Sequence, residues 1–164
     1  MNDSTSLNQA KPIFVPAREN PNDVDVRALI ERHFDLMRSL SPAESCHVME
    51  PETLVQAGAC LFGLRKEGVL LGIGAVTPLD SQTAELKSMH TTAEARGQGV
   101  ARLLLRTLLD AARAMGASRV NLETGTDPAF AAARGLYISE GFAECPPFSG
   151  YRIDPLSVYM TKSI

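Results

Sequence analysis

A turn between two regular elements carries the residues whose types and spacing point most directly to chemistry. It reads Arg96-Gly97-Gln98-Gly99-Val100-Ala101 and stands between a strand-like segment and a long helix-like segment. Glycines at 97 and 99 permit backbone conformations and a close approach that a Cβ atom would prevent. The N–H groups of this turn and of the first helical turn have no partner within the helix. Such a position binds phosphate, because the helix dipole and the N–H groups both favour an anion.

The same turn is also compatible with a tight connection that binds nothing. The nucleotide-binding pattern GxxxxGK(S/T) is absent from it. Arg102 stands where the dinucleotide pattern GxGxxG requires a third glycine. Taken alone, the turn therefore leaves phosphate binding and a plain connection open.

The segments around the turn predict an alternation of strands and helices. Residues 59–65 and 69–77 have the composition of two strands, and Lys66-Glu67-Gly68 joins them as a hairpin. A third strand is predicted over residues 83–91, and the absence of proline and glycine from it suggests a central position. A short β-prone run at residues 13–15 precedes them.

Helices are predicted where apolar residues recur every three or four positions. The first follows Asn22 or Asp23, either of which can cap it, and the second follows the glycine-containing turn and ends at Gly116. A third helix is predicted over residues 128–140 and is closed by Gly141. The remaining strands are predicted at residues 119–124, 142–144 and 156–161. This order predicts an α/β fold with one mixed sheet and helices on its faces.

Composition limits the class of protein. The chain has 164 residues, of which 45% are hydrophobic, as in one globular domain; we assign that domain to residues 11–164 and interpret residues 1–10 as a disordered leader. The net charge of -3 does not favour a nucleic-acid partner. The longest apolar run, residues 68–76, is too short to cross a membrane, and no secretory signal is recognised. Three widely spaced cysteines without a CxxC pair predict neither a zinc site nor a disulfide framework, and they fit a cytoplasmic protein.

Two motifs resemble those of the GNAT superfamily of N-acetyltransferases. Its acetyl-CoA signature, Gln/Arg-x-x-Gly-x-Gly/Ala, is matched by Arg96, Gly99 and Ala101. A second segment, Ala-x-x-Leu-Tyr-x-x-x-Gly-Phe, begins at Ala133. The resemblance covers residues 70–162, and two linked motifs are more specific than either alone.

The resemblance implies a central sheet splayed into a V after its fourth strand, with helices around it and acetyl-CoA, but no metal, in the opening. The diphosphate would bind the turn, and the pantetheine arm would pair with the third strand of the prediction as an added strand does. The predicted cosubstrate site comprises Met89, His90, Thr91, Arg96, Gly97, Gln98, Gly99, Val100 and Ala101. Arg102 and Arg106 are interpreted as solvated helix charges.

The resemblance further implies direct transfer of an acetyl group to a primary amine within a ternary complex. Tyr137 is the candidate general acid, since a phenol can protonate a departing thiolate, and the alternative is that it packs beside Phe142. Glu85 is the candidate base, directly or through water, and an ion pair with Lys87 is the alternative. A backbone N–H near Thr91 is predicted to polarise the thioester carbonyl.

Strand alternation predicts which side chains share a face with Glu85. Thr91, six residues later, lies on the same face unless a bulge intervenes, and His90 then faces the other side. We therefore interpret the His90 side chain as a packing or solvent-facing group. His33, on the polar side of the first helix, is interpreted as a surface residue.

The acceptor side is predicted where the loop at residues 39–51 meets the strands that flank the opening. The predicted set is Glu44, Ser45, His47, Lys87 and Glu123. The expected acceptor is a small amine-bearing molecule or a peptide, and a homodimer is compatible with the resemblance. Phe130 stands where family members often carry Asn. The alternative function is a non-catalytic acyl-CoA-binding sensor, which would need neither Tyr137 nor Glu85.

Overall fold

The computed structural model describes residues 14–164. Within that range, seven strands form one sheet in the order β1-β2-β3-β4-β5-β7-β6. The strands are β1 Ala17–Arg18, β2 Cys60–Lys66, β3 Val69–Pro78, β4 Thr83–Thr91, β5 Arg119–Gly125, β6 Ala143–Glu144 and β7 Ser157–Ser163. The α-helices are α1 Val24–Leu40, α2 Pro51–Gln56, α3 Val100–Ala114 and α4 Ala131–Ser139. The mixed α/β fold predicted from the sequence is thereby confirmed.

Most elements lie where the sequence predicts them, and the exceptions are short. The predicted leader at residues 1–10 lies outside the described residues, as does Ile13 of the β-prone run. The first strand follows Pro16 instead of preceding it, because the extended segment that pairs with β2 is Ala17–Arg18. The six-residue α2 was not predicted, since a helix this short has no apolar repeat to reveal it.

The sheet opens between its fourth and fifth strands. Parallel pairing of β4 with β5 begins at Thr83 and Arg119 and ends at Leu86 and Leu122. Both strands continue beyond that point, β4 to Thr91 and β5 to Gly125. Their divergence is the predicted V-shaped opening, and it leaves one side of residues 87–91 without a neighbouring strand among the described residues.

A β-bulge in β4 changes which of its side chains share a face of the sheet. Two residues, Ser88 and Met89, lie opposite the single residue Gly74 of β3, and Ser88 has a φ of 54°. The bulge adds one residue to the alternation. As a result His90, paired with Ile73, lies on the same face as Glu85, and Thr91 lies on the other face. The prediction that His90 and Glu85 face opposite sides is therefore wrong.

Helices cover both faces of the sheet. On one face, α1 and α2 pack against β2 and β3 through Val26, Leu29, Ile30, Leu54, Leu61, Ile73 and Ala75. On the other face, α3 and α4 pack against β3, β4 and β5 through Val76, Leu86, Leu105, Leu108, Leu122 and Tyr137. Leu105 and Leu108 are fully buried, and burial of each contributes about 1.5–3 kcal/mol. This packing fixes the start of α3 beside the open end of β4.

Candidate active site

The glycine-containing turn has the backbone conformation that its sequence predicts. Gly97 and Gly99 have φ angles of 75° and 82°, in the left-handed region that favours glycine. A Cβ at either position would find no other group within 4 Å, so backbone conformation, not crowding, explains the glycines. Gly99 is the N-cap of α3, and no side chain caps the helix there.

A row of backbone donors is left unpaired at this turn. The first N–H of the segment to find a helical acceptor is that of Leu103, which donates to the Gly99 carbonyl at 3.1 Å. Across residues 14–164, the N–H groups of residues 97–102 donate no hydrogen bond of good geometry to another group of the protein. Six successive donors at a helix N-terminus form a candidate site for a phosphate or diphosphate group.

Arg102 and Arg106 are solvent-exposed, as the sequence predicts, with 42% and 61% of their side-chain surface accessible, and they also form an ion pair with Glu140. Both donate hydrogen bonds to the carboxylate of Glu140 at the end of α4, at 3.1 Å in the case of Arg106. These bonds lower the pKa of Glu140, although burial partly opposes them. The two arginines therefore tie α4 to the first turns of α3.

A small cavity passes through the opening between β4 and β5. Its lining includes Ser88 and Met89 from β4, Glu123 from β5, and Phe130 and Tyr137 from the segment leading into and along α4. Met37 and Val48 contribute from the α1 side. The cavity therefore connects the two faces of the sheet at the point where the strands part.

Tyr137 occupies this cavity and also packs against the core. Its side chain is 6% exposed, and its ring lies 5.8 Å from that of Phe142. Burial raises the pKa of the Tyr137 phenol to about 12, so the phenol keeps its proton at neutral pH. The structure thus shows the packing alternative, and the same side chain lines the cavity in the opening.

Glu85, Lys87 and Tyr151 form a buried hydrogen-bonded cluster. The Tyr151 hydroxyl donates to Glu85 Oε1 at 2.5 Å and accepts from Lys87 Nζ at 2.5 Å. Lys87 Nζ also lies 3.1 Å from Glu85 Oε1, which is the ion pair given as an alternative to the base role. Burial raises the pKa of Tyr151, and the charge and the hydrogen bond of Glu85 raise it further.

Tyr151 was missed by sequence reasoning. It lies between β6 and β7, where no periodic pattern assigns it to a face. Its ring contacts the rings of His47, Phe148 and Tyr159 at centroid distances of 5.0, 5.0 and 5.5 Å. The only available signal was a tyrosine in the Pro-rich loop opposite the predicted acceptor residues.

Glu123 lies one residue beyond the last residue of β5 that pairs with β4, at the edge of the opening. Its Oε1 accepts a 2.8 Å hydrogen bond from Ser157. Burial raises the pKa of Glu123 to about 7, while the Ser157 bond and Lys87 act in the opposite direction. A carboxyl group of this kind exchanges its proton near neutral pH.

A larger cavity, about 470 Å³ in volume, adjoins the cluster on the outer side. Glu44, His47 and Glu85 line it together with residues 149–154. The Ser45 hydroxyl contacts the neighbouring Asp154. A hydrogen bond with this hydroxyl is the largest cause of the lowered pKa of Asp154. The structure thus brings the predicted loop residues and Glu85 around one space, with Lys87 and Glu123 in the adjacent smaller cavity.

His33 is not the surface residue that the sequence predicts. It is 9% exposed, and its ring lies 5.1 Å from the ring of His90. Burial, together with a smaller effect of His90, lowers the pKa of His33 to about 3. The pKa of His90 is lowered by its own burial, then by Arg96 and Arg32. Both imidazoles are therefore neutral at pH 7.

Other features of the described residues concern metals and membranes. Between residues 14 and 164, no group of three or more His, Cys, Asp and Glu side chains is placed to hold a metal ion. In the same range, every helix is too short or too polar to span a bilayer. Cys46, Cys60 and Cys145 are free thiols, each partly buried.

Comparison with known proteins places this geometry in a family. The sequence pattern of the Acetyltransferase (GNAT) family matches residues 26–142. The uncharacterized N-acetyltransferase YedL of Escherichia coli (strain K12) is 38% identical over 139 residues, which cover 85% of this chain and 87% of YedL.

Two solved structures share the fold. A candidate acyl-CoA N-acyltransferase from Klebsiella pneumoniae is 27% identical, with a TM-score of 0.74 and coverage of 92% of this chain and 97% of that one. A candidate acetyltransferase from Salmonella typhimurium, yncA, whose structure contains acetyl-CoA, is 19% identical, with a TM-score of 0.67 and coverage of 92% and 93%.

Proposed function

The chain belongs to the acetyltransferase (GNAT) family and is an acyltransferase, and on that premise we propose that it transfers an acetyl group from acetyl-CoA to a primary amine of a small molecule or peptide. The transfer is direct, within a complex that holds both substrates. The observation that carries the proposal is the row of unpaired N–H groups at residues 97–102, located beside the open end of β4.

The cosubstrate site consists of the turn and the unpaired side of β4. The N–H groups of residues 97–101, next to Arg96, bind the diphosphate, since they offer donors and the positive end of a helix dipole. The backbone of Met89, His90 and Thr91 pairs with the amide groups of the pantetheine arm. The absence of a neighbouring strand on that side, within the described chain, supports this pairing. The yncA protein, which has the same fold, was solved with acetyl-CoA, and this supports acetyl-CoA as the cosubstrate.

The chemistry requires one bond to form and one to break. The amine nitrogen attacks the thioester carbon, a C–N bond forms, and the C–S bond breaks. The negative charge that develops on the carbonyl oxygen is stabilised by a backbone N–H near the bulge of β4. Tyr137 gives its proton to the leaving thiolate, and the burial that keeps this phenol protonated supports the assignment.

We assign the proton lost by the amine to Glu85, directly or through water. Glu85 lines both the larger cavity and the cavity through the opening, so it lies between the space for the acceptor and the space for the thioester. Glu123 is the rival acceptor of this proton, because its pKa of about 7 suits the role, but it lines only the smaller cavity.

The acceptor binds in the larger cavity. Glu44, Ser45 and His47 form one wall, and the loop around Tyr151 forms the other. Lys87 and Glu123 complete the site from the strands. The ion pair between Lys87 and Glu85 leaves Lys87 less free to bind an acceptor carboxylate, so the cavity gives no preference for an anionic acceptor.

Two measurements on the purified protein test the proposal. Acetyl-CoA in excess of its Kd raises the melting temperature, because a ligand that binds only the native state stabilises it. Release of CoA is then measured with acetyl-CoA and a panel of primary amines. A thermal shift without CoA release would favour a non-catalytic sensor, and no thermal shift at all would contradict acetyl-CoA binding.

A further inference from the structure

The hydroxyl group of Ser88 is buried without a partner at the bulge of β4. Ser88 is 8% exposed, and its Oγ is fully enclosed. Within the described residues, no donor or acceptor lies within hydrogen-bonding distance of this atom. Buried hydroxyl groups in proteins are nearly always satisfied, so an unsatisfied one indicates a partner that the free chain does not supply.

The position of Ser88 identifies where that partner lies. Ser88 lines the cavity that passes through the opening, as do Tyr137 and Glu123. Ser88 also lies in the bulge itself, where Ser88 and Met89 of β4 face the single residue Gly74 of β3. The hydroxyl is therefore close to the backbone groups that the bulge releases from the ladder.

The charged groups beside Ser88 in this cavity already have partners. Glu85 and Lys87 are bonded to each other and to Tyr151, and Glu123 accepts from Ser157. His33 Nδ1 is the other enclosed atom without a partner among the described residues, but the His33 ring packs against His90. Among the described residues, Ser88 thus has the one enclosed hydroxyl without a partner at the space where the proposed function places the thioester.

We propose that the Ser88 hydroxyl donates a hydrogen bond to the carbonyl oxygen of the bound acyl group, next to the backbone N–H released by the bulge. A thioester brings an acceptor oxygen and no donor, so a hydroxyl complements it and a carboxylate does not. The bond strengthens as negative charge develops on that oxygen. This inference rests on the proposed function, because it concerns the same bound acetyl-CoA.

The backbone conformation of Ser88 makes it possible to distinguish loss of the hydroxyl from a change in backbone strain. A φ of 54° is unfavourable for serine and costs glycine nothing. Ser88→Gly therefore removes the hydroxyl while relaxing the backbone, and Ser88→Ala removes the hydroxyl while keeping the Cβ. A purely structural role predicts different effects of the two variants, whereas a role of the hydroxyl predicts the same effect.

The test compares the affinity of each variant for acetyl-CoA and for CoA by calorimetry. CoA has no acyl carbonyl, so the ratio of the two affinities isolates contacts to that group. We expect both Ser88→Gly and Ser88→Ala to lower the acetyl-CoA preference about 5-fold, the equivalent of one neutral hydrogen bond of about 1 kcal/mol. Turnover with an amine found in the panel falls about 100-fold in both.

Ser139→Ala is the matched control. Its hydroxyl is exposed and bonds only to the Leu136 carbonyl of its own helix, so the affinity ratio should not change. Thermal melting of each variant reports folding, and we expect Ser88→Gly to melt above the parent protein. An unchanged affinity ratio in both Ser88 variants, with acetyl-CoA still bound by the parent, overturns the inference and leaves the proposed function intact. Failure of the parent protein to bind acetyl-CoA overturns both.

Discussion

The Tyr151 hydroxyl donates a 2.5 Å hydrogen bond to the carboxylate of Glu85, and this bond joins the loop after β6 to the middle strand of the sheet. Glu85 is 4% exposed, and both residues line the larger cavity as well as the smaller one. The pair therefore forms the boundary between the proposed acceptor space and the proposed thioester space.

The first prediction concerns the acidity of Tyr151. The pKa of its phenol is raised by burial, then by the charge of Glu85 and by the hydrogen bond to it. Glu85→Gln removes the charge, so the pKa of Tyr151 should fall while the contribution of burial remains. Ultraviolet absorbance of tyrosinate during an alkaline titration measures the change, with Tyr151→Phe to assign the signal.

Two further variants provide comparisons for the change in the pKa of Tyr151. Glu123→Gln should lower the pKa of Tyr151 by less, because its charge is a smaller cause of the shift. Glu44→Gln, on the opposite wall of the larger cavity, should leave the titration unchanged. Equal shifts in all three variants would show that the Glu85 bond does not control the phenol.

The second prediction concerns proton donation by Tyr137. Tyr137→Phe should lower kcat about 100-fold or more, as loss of a general acid does, and should leave acetyl-CoA binding nearly unchanged. Steady-state kinetics and calorimetry provide the two measurements. Tyr159→Phe is the control, since it deletes another phenol that is 5% exposed but lies outside the smaller cavity. Unchanged turnover in Tyr137→Phe would remove this residue from the mechanism.

The third prediction separates the two carboxylates as proton acceptors. A base must be ionised to act, so kcat/KM rises with pH through the pKa of the acceptor. We expect Glu85→Gln to abolish this rise and Glu123→Gln to preserve it. A rise centred near pH 7 that is lost only in Glu123→Gln would transfer the role to Glu123, whose pKa is about 7.

The fourth prediction concerns stability and pH. Burial raises the pKa of Glu123 from 4.5 to about 7, so the folded state holds a proton that the unfolded chain releases. The contribution of Glu123 to stability is therefore greatest below about pH 4.5 and is lost as the pH rises through about 7. The loss is on the order of 3 kcal/mol.

Urea denaturation across this range measures the effect. The difference in unfolding free energy between Glu123→Gln and the parent protein should become more favourable to the variant as the pH rises. A difference that stays constant between pH 4.5 and pH 7 would contradict the raised pKa of Glu123.

The fifth prediction concerns the glycine-containing turn. Gly99 has a φ of 82° and open space where a Cβ would lie, so Gly99→Ala is strained by its backbone and costs about 1–2 kcal/mol of stability. The added methyl group also hinders approach of the diphosphate to the N–H groups. We expect acetyl-CoA to bind at least about 10-fold more weakly, since close approach is the function of glycine there.

Gly58→Ala is the matched control for this variant. Gly58 follows α2, has a φ of 68°, and likewise has no neighbour within 4 Å of a Cβ. Its replacement should therefore cost a similar stability without weakening acetyl-CoA binding. Equal affinities of the Gly99 and Gly58 variants would show that the turn does not hold the cosubstrate.

Local sequence determined the elements and the turn. β4 begins and ends at the predicted residues 83 and 91, and α3 follows directly from Gly99, as its apolar repeat and the positive φ of the glycine require. The hairpin turn at Glu67 and Gly68 likewise has both residues at positive φ. These features depend on interactions between residues that are near in sequence, so their signals are present in short segments of chain.

Contacts between distant segments decided the rest. Ser88 forms a bulge because β3 and β4 pair with unequal numbers of residues, and this moves His90 to the face of Glu85. Tyr151 reaches Glu85 across 66 positions of sequence, and Arg102 reaches Glu140 across 38. Strand register and side-chain pairing of this kind depend on which elements become neighbours, and periodicity within one element carries no record of its partner. The sequence alone therefore determined the conformation of the glycine-containing turn and the order of the longer elements, and only the tertiary structure decided which side chains meet in the opening.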